Sequence, residues 1–298
     1  MYLSPSRIEQ PQLASEVLRD NPLGDPHARP LTVYLPPGHD DLPDARYPTV
    51  YLLSTHGNTG PGLLNWRPWD MTIKEQLDAL LAAGRIAPLI VVMPDMWTRF
   101  GGSQYVNSAG MGRYEDYLIQ EVIPLVDRNY RTLPHRDHRA VIGRSSGGFG
   151  AITQAMHHPE VFGAFACHSG DIYWEYTCLP GLSRMHQQLA PYGSLDEFIA
   201  RIPDIRPKNS AFWELIMTVC WAAAFGSNPQ QPRGFDLPID PDTVAAEATN
   251  LAGELGRWVI RNACAQLARW RSKGHGLDLV RRGVDVAELL RRTVGAES

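Results

Sequence analysis

The feature that most constrains the fold is a short apolar run that ends among glycines and serines and continues into a helical pattern. The stretch Ala140–Ala151 reads AVIGRSSGGFGA and contains G-x-S-x-G at Gly143, Ser145 and Gly147. A serine between a strand and a helix, with small residues two positions before and after it, can occupy a very tight turn. This context predicts a nucleophile elbow that lifts the Ser145 hydroxyl away from a sheet. The amide of Ser146, at the N-terminus of the following helix, would then stabilise negative charge on a substrate oxygen.

Other interpretations of this glycine-rich turn fit less well. A phosphate-binding loop requires G-x-x-x-x-G-K-[ST], and no lysine follows these glycines. A dinucleotide-binding turn requires G-x-G-x-x-G, which is also absent. A chance Gly/Ser-rich loop is the remaining alternative, and the strand before and helix after the motif argue against it.

Apolar runs alternate with amphipathic segments along the rest of the chain. This alternation predicts an α/β fold, a mostly parallel, doubly wound sheet with helices on both faces. We assign residues 1–298 to one domain, with a Pro- and aromatic-rich insert or cap at 171–243. The expected strands are Leu31–Leu35, Thr49–Leu53, Leu89–Met93, Ala140–Ile142 and Ala164–His168, and the expected helices cover 70–83, 115–129, 147–158, 195–202 and 212–224.

A second oxyanion donor is expected in the loop that follows an earlier strand. The strand ending at Leu53 leads into a loop that contains His56, Gly57 and Asn58. The amide of Asn58, or that of Gly57, is the candidate donor. We interpret His56 as a structural histidine that holds the loop by hydrogen bonds.

Composition excludes several classes of protein. The net charge is −4, so the basic surface of a nucleic-acid-binding protein is not expected. No run of 18 apolar residues predicts a membrane span, and the first residues show no apolar signal segment, so a cytoplasmic location is expected. The four cysteines form no C-x-x-C pair and no H-E-x-x-H is present, so neither a metal nor another cofactor is predicted.

Residues 1–243 resemble the Putative esterase family of α/β-hydrolases, which includes enterochelin esterase-like proteins, S-formylglutathione hydrolases and feruloyl esterases. The matching runs, besides the Ser145 motif, are VYLPPG at 33–38, YPTVYLL at 47–53, IVVMPD at 90–95, YEDY at 114–117 and CHSGD at 167–171. The resemblance implies hydrolysis of a carboxylic ester through an acyl-enzyme on Ser145. It also implies a small-molecule or carbohydrate-linked ester as substrate and no cofactor. Oligomeric state stays open.

The chain changes character near residue 243. All 24 Pro, 11 Tyr and 8 Phe precede residue 244, whereas residues 244–298 are Arg-rich and carry a helical pattern. The resemblance implies a catalytic acid after a late strand and a histidine in a later loop, but this atypical helical tail shows no such strand. It contains one histidine, His275, and Asp242 precedes it by 33 residues.

Three interpretations follow. In the first, His275 serves as base and Asp242 or Asp240 as acid in an unusual tail. In the second, another histidine takes the role, with His168 and Asp171 best placed. In the third, the tail comes from a reading-frame shift or truncation near codon 243, so that the last strands and the triad partners are missing. The third accounts best for the composition and predicts weak or absent turnover. Esterase activity is therefore weighed against acyl transfer to another alcohol and against a catalytically impaired or non-catalytic relative.

Aromatic side chains after the strands and in the insert are candidates for a substrate pocket. In doubly wound sheets the binding crevice lies at the carboxyl ends of the strands. We expect the substrate to contact Trp66, Tyr105, Tyr173 and Trp174.

Overall fold

The structure is a computed structural model that describes residues 3–66, 68–172, 177, 181 and 184–237. Within these residues seven strands form a mixed sheet: β1 Arg7–Glu9, β2 Gln12–Ala14, β3 Ala28–Leu35, β4 Thr49–Leu53, β5 Ile90–Pro94, β8 Arg139–Arg144 and β9 Ala164–His168. Their order in the sheet is β1-β3-β5-β4-β8-β9, and β2 also pairs with β3. Two further strands, β6 Asn107–Ser108 and β7 Gly112–Arg113, form a small antiparallel ribbon.

The predicted parallel core of the sheet is confirmed. Strands β5, β4, β8 and β9 run parallel, and β9 is the edge strand of the described sheet. The antiparallel side of the sheet was not predicted: β3 pairs antiparallel with β5, and β1 and β2 pair antiparallel with β3. Strands of three residues are too short to show an alternating pattern, which is why β1 and β2 escaped the sequence analysis.

Helices cover both faces of the sheet, as predicted. Side chains of β3 alternate between the two cores: Tyr34 packs with Leu77 of α1 (Ile73–Ala82), whereas Val33 packs on the opposite face. That opposite face is covered by α4 (Ser146–His157) and by a helical segment over residues 114–129. Because one-residue steps along a strand switch faces, this alternation fixes the register of β3 between two apolar layers.

The helical segment over 114–129 is continuous but not uniform. It consists of α2 (Tyr114–Asp116), a π-helical stretch (Tyr117–Val122) and α3 (Ile123–Asn129). Pro124 stands in the first turn of α3, where the missing N–H costs little. The apolar stripe predicted for this helix is buried, with Leu118, Val122 and Val126 all in the sheet core.

The insert region forms its own apolar core above the strand ends. Its helices are α5 (Met185–Leu189), α6 (Leu195–Arg201) and α7 (Ser210–Phe225). Asn209 caps α7 by accepting a hydrogen bond from the amide of Phe212. These helices pack with Phe100 and Met111 from the loops after β5, which places α7 over the edge where the strands end.

Candidate active site

Ser145 lies between the end of β8 and the start of α4, as the motif predicts. Its backbone has φ +54° and ψ −125°, a conformation that residues other than glycine rarely adopt. Such a conformation costs about 1–3 kcal/mol and persists only where the surrounding structure enforces it. The side chain is half-buried and therefore not enclosed in the core. The backbone conformation is that of a defined tight turn, not of a relaxed coil.

Two glycines make the turn around Ser145 possible. A Cβ on Gly143 would lie 2.3 Å from the carbonyl oxygen of Gly147. A Cβ on Gly147 would lie 2.4 Å from the carbonyl oxygen of Leu53 at the end of β4. Both clashes are with backbone atoms, so only residues without a side chain allow strand and helix to approach this closely.

Hydrogen bonds hold the turn on both sides. The amide of Ser145 donates to the carbonyl of His168 at 3.0 Å, and the amide of Phe149 donates to the carbonyl of Ser145 at 3.0 Å. Ser146 begins α4, so its N–H has no carbonyl four residues earlier in the helix to bind. This N–H, at the positive end of the α4 dipole, suits the oxyanion role predicted for Ser146.

The second predicted donor, Asn58, is already hydrogen bonded. Its amide donates to the carbonyl of Thr55 at 3.2 Å, and the amide of Gly57 donates to the carbonyl of Gly101 at 2.7 Å. Either amide could bind a substrate oxygen only after giving up this bond. The oxyanion role of Asn58 therefore stays a prediction that requires a rearranged loop.

His56 holds this loop in place. Its Nε2 lies 2.8 Å from the carbonyl oxygen of Phe100, and its ring packs edge-on against Trp213 of α7. Burial lowers the pKa of His56, and the hydrogen bond to Phe100 only partly opposes this effect. These contacts support the interpretation of His56 as a structural histidine.

Tyr105 is buried and hydrogen bonded in this structure, and its role as a substrate contact stays a prediction. The residue is 3% exposed, and its hydroxyl donates to the carbonyl of Ser54 at 2.5 Å. Its carbonyl accepts a hydrogen bond from Gln154 of α4 at 2.6 Å. Tyr105 thus ties the loop after β4 to the helix that begins beside Ser145. The sequence marked it as a loop aromatic but held no signal for this buried partner.

Asp171 is an ionisable residue at the edge of the sheet where Ser145 lies. It follows β9 by three residues, and β9 is the parallel neighbour of β8, which leads into Ser145. Burial raises the pKa of Asp171, and its interaction with the Ser145 side chain acts to lower it. The sequence indicated Asp171 only as a partner for His168, although its position after the strand next to β8 was a usable signal.

No histidine of the described ranges shows a hydrogen bond to the Ser145 hydroxyl. His168 ends β9 opposite Arg144, and its buried Nδ1 has no hydrogen-bond partner within the part of the chain that the structure describes. His157 and His158 contact Glu115 instead. His168 is therefore close to the turn in the sheet, but its backbone carbonyl, not its ring, contacts Ser145.

Several predicted site residues lie outside the described part of the chain: His275, Asp242, Tyr173 and Trp174. Trp66 is described and is 74% exposed, in the loop that leads toward α1. Its role as a substrate contact stays a prediction.

The mixed sheet and the sharp strand–serine–helix turn define an α/β-hydrolase fold. The family model described as Putative esterase matches residues 26–230, more than half of the chain. The chain therefore belongs to the Putative esterase family. The match ends before the change in composition near residue 243.

Individual relatives are similar over part of their length. An endo-1,4-beta-xylanase/feruloyl esterase of Xylanibacter ruminicola is 34% identical over 149 residues, which are 47% of this chain and 19% of that protein. An esterase of Mycobacterium tuberculosis is 36% identical over 126 residues, or 42% of this chain and 25% of that one. A solved ferulic acid esterase is 27% identical with a TM-score of 0.46, covering 56% of this chain and 61% of its own. The chain thus spans a quarter or less of the length of these two curated relatives.

The described residues carry neither a metal-binding cluster nor a membrane-spanning helix. Over these residues there is no group of three or more His, Cys, Asp or Glu side chains placed to hold a metal ion. None of the described helices combines the length and apolarity needed to cross a bilayer.

Proposed function

We propose that this protein hydrolyses carboxylic esters with Ser145 as the nucleophile of an elbow. The observation that carries the proposal is the positive φ of Ser145 at the junction of β8 and α4. A strained serine at this position presents its hydroxyl above the strand ends and beside the N–H of Ser146 at the start of α4. Membership of the Putative esterase family supports the same reaction class.

The reaction has two halves. In the first, Ser145 Oγ attacks the ester carbonyl carbon while its proton passes to a base, and the carbonyl oxygen becomes an anion beside the amide of Ser146. Collapse of this intermediate breaks the bond to the alcohol, which leaves with a proton, and an acyl-Ser145 remains. In the second half, water attacks the acyl carbon and releases the acid, which restores the free serine.

The substrate is a small or carbohydrate-linked ester. Relatives whose names include feruloyl esterase favour an aromatic acyl group as one test substrate. Ser145 is half-buried at the carboxyl ends of the strands, where doubly wound sheets bind their ligands.

A pair of substrates and a pair of variants test the proposal. Hydrolysis of p-nitrophenyl acetate and of methyl ferulate is measured for the wild type, Ser145→Ala and Ser210→Ala. Ser210 is an exposed serine at the start of another helix, α7, and serves as the matched control. We expect Ser145→Ala to lose the activity and Ser210→Ala to keep it. Activity that persists in Ser145→Ala would remove Ser145 from the mechanism.

A fluorophosphonate probe gives an independent readout, because it reacts with an activated serine even when turnover is slow. We expect mass spectrometry to find the label on the peptide that contains Ser145. Absence of this label together with absence of hydrolysis would favour a non-catalytic protein.

A further inference from the structure

A cleft opens between the insert region and two loops that flank strands of the sheet. Its volume is about 440 Å³, within the range of roughly 300–1,000 Å³ that small-molecule sites occupy. Its walls include residues 22–23 between β2 and β3, residues 99–100 after β5, helix α6 and residues 229–235, and Ser145 is not among the lining residues. Segments far apart in the chain therefore meet around a space large enough for a small molecule.

Hydrogen bonds hold one wall of the cleft in a defined shape. The amide of Asn228 donates to the carbonyl of Gly234 at 2.8 Å. The amide of Asp236 donates to the carbonyl of Gly226, also at 2.8 Å. Gly234 has φ +79°, and a Cβ on it would lie 3.0 Å from the carbonyl oxygen of Ala109. Because this wall is formed in the absence of a ligand, binding does not have to order it.

The floor of the cleft is apolar and aromatic. Phe100 and Phe235 are each 1% exposed, and their rings meet edge to face with centroids 6.0 Å apart. Leu23 and Ile199 also line the cleft and pack against the same apolar core. Such a surface suits the flat, apolar body of an organic ligand, because contact removes apolar surface of both from water.

Two arginines bring positive charge to the cleft. Arg99 contacts Asp25 through Nε at 3.3 Å and through its backbone amide at 3.0 Å, so neither terminal amino group of Arg99 is hydrogen bonded to a described residue. Arg233 lies 3.8 Å from Asp196, too far for a hydrogen bond, and among the described residues its guanidinium has no other ion pair. Both guanidinium groups therefore keep N–H donors for a ligand, and such a group binds a carboxylate through two parallel N–H···O bonds.

We propose that this cleft binds a small organic monocarboxylate with an aromatic body. Its carboxylate pairs with Arg99 and Arg233, and its ring packs over Phe100 and Phe235. Inorganic phosphate would pair with the arginines but leave the apolar floor in contact with water. A neutral aromatic molecule would cover the floor but leave the guanidinium groups without an anion. The proposal does not depend on Ser145 acting as a nucleophile.

Asp196 opposes this ligand and so provides a test with a defined sign. It lines the cleft beside Arg233, and its side chain is 72% exposed. Its negative charge repels an anion and competes for Arg233. We expect Asp196→Asn to tighten binding by up to about fivefold, the range of an exposed ion pair. A tighter complex cannot result from a variant that has lost its fold.

The experiment titrates the full-length protein with 2-naphthoate and follows binding by calorimetry. We expect Arg233→Gln and Arg99→Gln each to weaken binding roughly tenfold or more, as is usual for a lost hydrogen bond between charged groups. The matched control is Arg85→Gln, because Arg85 is an exposed arginine after α1 that does not line the cleft. Its affinity should equal that of the wild type.

Two further ligands separate the contributions of the arginines and of the apolar floor. 2-Naphthamide keeps the rings and removes the charge, whereas inorganic phosphate keeps a charge and removes the rings. We expect each to bind the wild type at least about tenfold more weakly than 2-naphthoate does.

Four results would overturn the proposal. The wild type binds no 2-naphthoate at millimolar concentration; or both arginine variants bind it as tightly as Arg85→Gln does; or 2-naphthamide or phosphate binds as tightly as 2-naphthoate; or Asp196→Asn weakens binding. Each of these results leaves the proposed esterase function untouched, because that function is tested on Ser145.

Discussion

At the scale of single residues, the absence of a side chain at Gly147 decides whether the turn at Ser145 can form. We expect Gly147→Ala to lower stability by about 1–3 kcal/mol, the usual cost of forcing extra atoms into a packed site. A Cβ there would meet the carbonyl oxygens of Leu53 at 2.4 Å and Ser54 at 2.7 Å, and backbone atoms cannot move aside as a flexible side chain can. Chemical denaturation measures the loss, and fluorophosphonate labelling of Ser145 should fall with it.

Gly102→Ala is the matched control for this substitution. The nearest atom to a Cβ on Gly102 is a carbon of the His56 ring at 3.7 Å, an ordinary van der Waals distance. Its stability should stay close to that of the wild type. Equal effects of the two alanines would show that close approach at residue 147 does not control the turn.

The sequence indicated the residues whose position follows from local spacing, but it carried no signal for the hydrogen bonds that loop residues make. Gly143 and Gly147 follow from the motif, because their neighbours are the strand and helix that they join. The amide of Asn58 donates to the carbonyl of Thr55, and the hydroxyl of Tyr105 donates to the carbonyl of Ser54. Hydrogen bonds in loops follow no periodic pattern, so these two contacts could not be derived from the spacing of residues.

At the scale of elements, Tyr105 connects the loop after β4, through its hydroxyl, to helix α4, through its backbone carbonyl. We expect Tyr105→Phe to cost about 1 kcal/mol of stability, the usual net value of a buried hydrogen bond. The carbonyl of Ser54, which accepts this bond, follows directly on β4 and precedes the candidate oxyanion residue Asn58. The loop should therefore become less ordered, and kcat for ester hydrolysis should fall more than KM rises. An unchanged kcat would show that Tyr105 has no part in positioning this loop.

The contact between α2 and the end of α4 should make stability depend on pH. Glu115 of α2 lies 2.8 Å from Nε2 of His158 and 3.2 Å from Nδ1 of His157. Burial acts to raise the pKa of Glu115, but hydrogen bonds from the two histidines outweigh it and lower this pKa to about 2. For His158, burial acts to lower the pKa, while the hydrogen bond and charge of Glu115 raise it above 6.5.

The directions of the two pKa shifts determine the pH range over which Glu115 and His158 stabilise the fold. The contribution of Glu115 is present above its ordinary pKa of 4.5 and is lost as pH falls toward 2. The contribution of His158 is complete below 6.5 and is lost as pH rises through its raised pKa. We expect Glu115→Gln to cost about 1–2 kcal/mol between pH 5 and 6, and less at pH 9. Thermal unfolding across this range measures it, with Glu16→Gln as control, because Glu16 is exposed and pairs only at the surface with Arg19. A constant difference at all pH values would contradict the prediction.

Among the elements, strands that are buried on both faces of the sheet were easier to locate in the sequence than short strands. The strand Ile90–Pro94 is fully buried and reads as a continuous apolar run, so the sequence located it to within a residue. The short strands β1 and β2 carry no such run. The π-helical stretch Tyr117–Val122 keeps an apolar stripe close to that of an α-helix, so its different hydrogen bonding is not visible in the sequence.

At the scale of the whole molecule, the buried guanidinium of Arg29 connects β3 to the loop after β5 and to helix α2. Arg29 of β3 is 2% exposed. It lies 3.2 Å from the carboxylate of Asp95, which follows β5, and donates to the hydroxyl of Tyr114 in α2 at 2.7 Å. It also donates to the carbonyl of Trp97 at 2.7 Å. Three separate parts of the fold thus share one side chain, and no local pattern in the sequence indicated this.

Removing Arg29 should therefore destabilise the fold as a unit. We expect Arg29→Met to cost about 3–5 kcal/mol, because it leaves the buried carboxylate of Asp95 without its counter-charge. The double variant Arg29→Met/Asp95→Asn removes that charge as well and should recover part of the loss. Arg7→Met is the control, since Arg7 is 39% exposed and its pairs with Glu9 and Asp40 lie at the surface, where ion pairs contribute about 0–1 kcal/mol. Urea unfolding of the three variants measures these values, and a double variant no more stable than Arg29→Met would show that hydrogen bonds, not the unpaired charge, account for the loss.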